Sequence, residues 1–276
     1  MRPKASPHGV WLVVPCYHES ERIAPFVADL ARTFSDAEGV RVLLVEDGSG
    51  TAEQARFMQA VQPVIAGRAL FAQPLLLSEN LGKGGAVYAG WAQHGGQEWL
   101  AFVDADGSCS AGETRRVLEL ARSTLPDATG DLPSVAFFAS RVKMLGRTVT
   151  RHLHRHLIGR VYATLVSELL HIPVYDSQCG LKVVPRAAWQ VLQPVLQQRG
   201  FAFDAELLAA LLDGGVRVLE VPVDWHETRG GKVRLWRDSW RMFRDILAIR
   251  HVRASAGWQA AVAQLHNPLP SAALRG

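Results

Sequence analysis

Asp104 and Asp106 stand two residues apart where the apolar run Leu100-Ala-Phe-Val103 ends. In an extended segment such residues point the same way, so both carboxylates can reach one divalent cation. A hard cation held by few protein oxygens takes its remaining ligands from substrate phosphates. The pair therefore marks a place where a metal can meet a nucleotide diphosphate; a polar turn after a buried strand is the plain alternative. Upstream, Asn80-Leu-Gly-Lys-Gly-Gly85 opens a helical stretch, where Lys83 and backbone N–H groups can lie against a diphosphate. A flexible glycine turn is the alternative there. The run after the first apolar segment is Pro15-Cys-Tyr-His-Glu19 and not Gly-x-Gly-x-x-Gly, which disfavours a dehydrogenase. The glycine loop also lacks the closing Gly-Lys-Ser/Thr of a Walker A motif.

These residues need a frame. Val10–Val14, Val40–Val45, Leu75–Leu77, Trp99–Val103 and Val135–Ala139 read as short buried strands. Helical patterns follow, with Ile23, Phe26, Val27 and Leu30 on one face, then from Thr51, and over Ala86–Ala92. Alternating strands and helices predict an α/β fold with a parallel sheet and substrates at the carboxyl ends of its strands. Each polar cluster falls at such an end. Further on, Arg151–Leu170 reads as a basic amphipathic helix, Phe203–Leu212 as a helix and Val216–Val223 as a strand. Lys232–Arg253 interleaves arginines with Trp236, Trp240 and Phe243.

With 276 residues, 48% hydrophobic and 20% charged, the chain can bury a large core. A net charge of +4 and a pI near 9.2 favour anionic substrates or a membrane surface and do not call for nucleic acid. Cys16, Cys109 and Cys179 are far apart and form no Cys-x-x-Cys, which argues against a disulfide framework or structural zinc and for a reducing cytoplasm. No signal peptide is read at the start, and no run offers the roughly 20 apolar residues of a spanning helix. A single domain is expected over 8–256, divided into a half over 8–107 that ends in the Asp104 and Asp106 pair and a half over 108–256, with a tail over 257–276.

Val13-Val-Pro-Cys-Tyr-His-Glu19, Leu44-Val-Glu-Asp-Gly-Ser49, Asn80-Leu-Gly-Lys-Gly-Gly-Ala86 and Val103-Asp-Ala-Asp-Gly107 together resemble, in order, the motifs of family 2 glycosyltransferases, which have the GT-A fold. Ala139-Ser-Arg141, Asp176-Ser-Gln-Cys-Gly-Leu-Lys182, Phe203-Asp-Ala-Glu-Leu-Leu208 and Val221-Pro-Val-Asp-Trp-His-Glu-Thr-Arg-Gly-Gly-Lys232 are similar to the dolichyl-phosphate glucosyltransferase branch and, more distantly, to dolichyl-phosphate mannose synthases. Glu46 stands where Asp is common. Ser108 stands where mannose-synthase relatives often carry Gln, a departure that bears on a third metal ligand.

The resemblance implies a Rossmann-like, mostly parallel sheet and an inverting, metal-dependent hexosyltransferase. Pro15, Tyr17, Glu19 and Asp47 would hold the base and ribose of a nucleotide sugar, and Asp104 and Asp106 would hold Mg²⁺ or Mn²⁺ on its diphosphate. The donor would be a UDP-hexose, UDP-glucose first, with GDP-mannose as the alternative. A lipid phosphate is already anionic and needs cations to position it, whereas a sugar hydroxyl needs a general base. Arg141 and Arg155 match phosphate-binding positions of the polyprenyl-phosphate branch. Asp176, Gln178 and Lys182 are expected to touch the donor sugar, the transferring phosphate or the acceptor; a capped helix start is the alternative for that loop. Lys232 would close over the diphosphate. For a soluble hydroxyl acceptor, Asp204 or Asp176 would be the base. A polyprenyl-phosphate acceptor would bring the protein to the cytoplasmic face of a membrane, with the basic, tryptophan-containing stretch as a peripheral anchor.

Overall fold

The computed structural model describes residues 9–34, 39–124, 135–150, 153–227 and 235–266, with only the helical backbone for 153–161 and 235–242. The chain begins with β1 (Val10–Cys16), α1 (Ile23–Thr33), β2 (Val40–Glu46), α2 (Thr51–Ile65), β3 (Leu75–Leu76), α3 (Gly82–Ala92) and β4 (Trp99–Val103). There follow α4 (Ala111–Ser123), β5 (Val135–Ser140), β6 (Val149–Thr150), α5 (Leu153–Leu170), β7 (Leu181–Pro185) and α6 (Arg186–Leu192). The last described elements are α7 (Phe203–Asp213), β8 (Arg217–Pro222), β9 (Trp225–His226), α8 (Leu235–Arg253) and α9 (Ala256–His266).

β1, β2 and β4 carry near-continuous apolar runs because both faces of the sheet are covered. Val10, Leu12 and Val14 face a cluster with Phe26, Leu30, Phe57, Val61 and Val117 from α1, α2 and α4. Trp11 and Val13 face the opposite cluster, with Trp91, Trp189, Phe203, Leu207 and Trp258 from α3, α6, α7 and α9. The result is three layers, helix, sheet and helix.

The seven-stranded sheet has the order β3-β2-β1-β4-β7-β5-β8. The chain leaves β1 toward β2 and β3, then returns to the other side of β1 as β4. That reversal opens a crevice beyond the carboxyl ends of β1 and β4. β7 runs antiparallel between β4 and β5, with Val103 opposite Leu181 and Phe138 opposite Lys182. Its entry loop, 176–180, is thereby delivered to the rim that β4 and β5 reach with their exits.

Two features depart from the expectations. β6, β7, β9, α4 and α6 are elements beyond those expected, although Ser110 accepts a bond from the Glu113 N–H and caps α4. Residues 256–266 form α9, with Trp258 fully buried, so the first part of the expected tail belongs to the packed fold. Among the described residues no helix is long and apolar enough to cross a membrane.

Candidate active site

Asp104 sits on the last hydrogen bond of β4: its N–H donates to Gly180 O at 2.8 Å. Its side chain lies so close to that backbone that a Cβ on Gly180 would come within 2.1 Å of Asp104 Oδ2. Only glycine fits, and this close approach aims the carboxylate along the rim. Its Oδ1 is 2.7 Å from Lys83 Nζ. Asp106, half-buried, accepts the Ser108 N–H at 2.9 Å, which closes a short Asx turn. Burial first, then the neighbouring Asp104, pushes the Asp106 carboxyl above its usual range. Two hard carboxylates crowded together and drawing in an ammonium group make a donor set that fits a divalent cation with few protein ligands. Among the described residues no cluster of three or more His, Cys, Asp or Glu forms a metal site, so any remaining ligands must come from elsewhere.

Lys83 lies on the first turn of α3, where Gly84 allows the helix to press on α7: a Cβ there would fall 2.5 Å from Phe203 Cβ. The glycine motif thus serves packing and brings Lys83 to the rim. Burial works to lower the Lys83 pKa, but Asp104 and Asp204 outweigh it and raise it.

Pro15 is half-buried in β1, Tyr17 is largely exposed on the following loop, and the His18 N–H donates to Ser49 Oγ at 2.9 Å, which ties that loop to the one after β2. Glu19 is forked by Arg22, with Nη2 2.6 Å from Oε1. Asp47 is buried and accepts from Asn80 Nδ2 at 2.9 Å and from the Leu81 N–H at 2.7 Å. Burial pushes its carboxyl up to about 6, against the pull of the Leu81 and Gly82 N–H groups. The loops after β1 and β2 and the one before α3 are therefore knitted into one wall of the crevice.

The other wall comes from β5 and the loop entering β7. Arg141 Nε and Nη2 grip Asp176 at 2.7 and 2.6 Å, and the Arg141 N–H also donates to Asp176 at 2.9 Å. The guanidinium lies 5.2 Å from the Trp225 ring centroid. Burial would raise the Asp176 carboxyl, but Arg141 holds it well below the usual carboxylate range. Such a group is a poor base. The Gln178 N–H donates to Asp176 at 3.2 Å, and the Asp176 N–H donates to Glu220 at 2.8 Å.

Lys182 is a correction. Its side chain is fully buried, its Nζ 2.7 Å from Asp204 Oδ1 and donating to Cys179 O at 2.7 Å, so it cannot reach an acceptor. β7 points it inward between Phe102 and Phe138. Asp204 is likewise interior, and Glu206 accepts the N–H groups of Gln197 and Gln198, so neither is a rim base. Arg155 lies on α5 with its side chain outside the described residues, and Lys232 lies outside them altogether. Sequence reasoning gave no role to Gly180 and Trp225, although both lie inside the quoted motifs, and missed Glu220, which lies just ahead of one.

The model of Glycosyl transferase family 2 matches residues 11–180, well over half the chain. This chain belongs to that family. The family 2 glycosyltransferase is 30% identical over 247 residues to the dolichyl-phosphate beta-glucosyltransferase of Saccharomyces cerevisiae, covering 87% of this chain and 73% of the yeast protein. Glucosyl-3-phosphoglycerate synthase of Mycobacterium tuberculosis shares its fold, with a TM-score of 0.61 at 14% identity over 91% of this chain and 82% of that one. The same synthase has been solved with Mn²⁺, UDP-glucose and phosphoglyceric acid, with a TM-score of 0.57 at 13% identity over 90% and 84% of the two chains. The glycosyltransferase thus has the GT-A fold, and its matched motifs run through the crevice just described.

Proposed function

We propose that this glycosyltransferase moves glucose from UDP-glucose to a polyprenyl phosphate with inversion at the sugar. The observation that carries the reading is the pairing of two rim walls: Asp104 and Asp106 on one side, and Arg141 locked to an ionised Asp176 on the other. Its relatives' names supply the sugar and the lipid. No base is required of such a site, because the acceptor phosphate arrives ionised.

Asp104 and Asp106 would hold Mg²⁺ or Mn²⁺ on the donor diphosphate, where the ion would neutralise charge gathering on the departing UDP. Pro15, Tyr17, Glu19 and Asp47 line the nucleoside side, with Lys83 toward the diphosphate and Gln178 toward the sugar. Asp176 holds Arg141 in one rotamer, leaving the guanidinium's remaining N–H groups to orient the acceptor phosphate. A phosphate oxygen then forms the new bond to the anomeric carbon as the bond to UDP breaks, and UDP leaves with that electron pair. Arg155 and Lys232 would join the acceptor and donor sides respectively. The protein would work at the cytoplasmic face of a membrane, held peripherally; basic α8 supports this, as does the segment after Arg141, where Met144 is half exposed and Leu145 is 99% exposed.

The direct test is a panel of UDP-glucose, other UDP-hexoses and GDP-mannose with Mg²⁺ or Mn²⁺ against undecaprenyl phosphate, reading released nucleoside diphosphate and glycolipid separately. UDP-glucose with glycolipid in equal yield is the expected result; release with no lipid product on any donor overturns it. Asp104→Ala and Asp106→Ala should each lower turnover by about a hundredfold or more, since the cation's contribution is several kcal/mol. Near-normal transfer by either variant removes it from the metal site. Arg141→Ala would orphan the buried Asp176 at a cost of about 3–5 kcal/mol, so Arg141→Lys is the better probe. It should cut glycolipid formation about tenfold while leaving UDP affinity unchanged. Equal loss of both makes Arg141 a donor residue.

A further inference from the structure

Behind Asp104 the rim charges continue into the interior as an alternating line. Asp104 faces Lys83 at 2.7 Å, and Asp204 faces Lys182 at 2.7 Å. The two pairs share one aromatic partition: Lys83 Nζ and Lys182 Nζ each lie 5.3 Å from the Phe102 ring centroid. The ring of Phe203, next to Asp204, lies 5.4 Å from that of Phe102 at an interplanar angle of 50° and 6.0 Å from Lys83 Nζ. Asp204 therefore acts on both ammonium groups. The inner pair has no exposure to solvent on the lysine side and very little on the aspartate. A buried ion pair of this kind is weak support for a fold, since apolar groups of similar volume often replace it without loss.

We propose that Lys83 is the resident counter-cation of Asp104, which leaves it for the donor diphosphate when a divalent cation is taken up, and that Lys182–Asp204 is the positioning pair that permits the exchange. The inference rests on the donor site proposed above and adds how that site is kept ready. An ammonium group stripped of its contact with Asp104, beside Phe102 and Phe203, would carry a large desolvation cost. Asp204 lowers that cost by remaining within its field. Lys182 in turn half-neutralises Asp204, so the inner carboxylate steadies Lys83 without capturing it. Metal and nucleotide then bind cooperatively: the ion alone must compete with Lys83, whereas the diphosphate gives Lys83 a new partner.

Titration calorimetry on the full chain tests this with Mn²⁺ alone, UDP alone, and Mn²⁺ at saturating UDP. Lys83→Met should bind Mn²⁺ alone about fivefold tighter than wild type, the size of a partly screened ion pair, and should lose that gain once UDP is present. The double variant Lys182→Met with Asp204→Asn, which leaves no orphaned charge, should bind Mn²⁺ alone several-fold more weakly, because Lys83 is then held by Asp104 only. Lys182→Met with Asp204→Leu, which replaces the pair by apolar groups throughout, is the second variant for that arm, with the same expected direction if the first does not fold. Unchanged or weaker Mn²⁺ binding by Lys83→Met overturns the counter-cation. Tightening that persists with UDP also overturns it, since that is plain charge repulsion. A folded inner-pair variant with wild-type Mn²⁺ affinity overturns the positioning role. If wild type binds neither Mn²⁺ nor UDP, the donor site falls with it; if wild type binds both and Lys83→Met changes nothing, only the present proposal falls.

Discussion

At the scale of single residues, environment divides the carboxylates. Asp176 is kept ionised by a guanidinium fork, Asp106 is pushed toward its neutral form by burial and by Asp104, and Asp47 is pushed up to about 6. The Asp47 shift has a thermodynamic sign. Its folded value of about 6 exceeds the ordinary 3.8, so the folded state holds the proton through that window. Its contribution to stability is complete below the ordinary value and is lost as pH rises through the folded one. Thermal melts of wild type and Asp47→Asn should therefore show a wild-type advantage that is larger at acid pH than at neutral pH. A difference independent of pH would mean that Asp47 titrates normally in the fold.

At the scale of elements, β7 decides the site. By running antiparallel between β4 and β5 it turns its entry loop onto the rim and its Lys182 into the core, which is why a motif that reads as one binding loop splits into two functions. Gly180 is the hinge of that division, because the Asp104 carboxylate occupies the space a Cβ would need. Gly180→Ala must push Asp104 aside, an overpacking strain of about 1–3 kcal/mol. The expected outcome is a lowered melting temperature together with a loss of Mn²⁺-dependent UDP affinity. Calorimetry showing normal Mn²⁺ and UDP binding would mean that the rim carboxylate tolerates displacement. Helix α8 shows a similar division: Ile246 and Ile249 are buried against the core, whereas Leu247, Arg244 and Arg250 face outward.

At the scale of the molecule, the exposed apolar residues Met144, Leu145 and Tyr175 lie in the segments that carry Arg141 and Asp176, on the wall proposed to receive the acceptor. In the proposed reaction, a lipid phosphate reaching Arg141 would bring its chain past them. Leu145→Glu should weaken co-sedimentation with anionic vesicles several-fold while UDP affinity in solution stays at the wild-type level. Unchanged vesicle binding would move membrane contact to α8 and the basic helix α5.

The chain's own residue order determined the strands of the nucleotide half, the helices that alternate with them, and the carboxyl-end position of every polar cluster. Those follow from local period and turn chemistry, which a linear pattern carries. It also determined the family, because ordered motifs separated by elements of the right type are far more specific than any one of them. Tertiary packing alone decided which carboxylate meets which cation. Asp104 finds Lys83, Asp176 finds Arg141 and Asp204 finds Lys182 across separations in the chain that no pattern of neighbours encodes. The strand direction of β7 sent Lys182 inward, and burial, a property of the assembled layers, set which of these charges face solvent and which face the core.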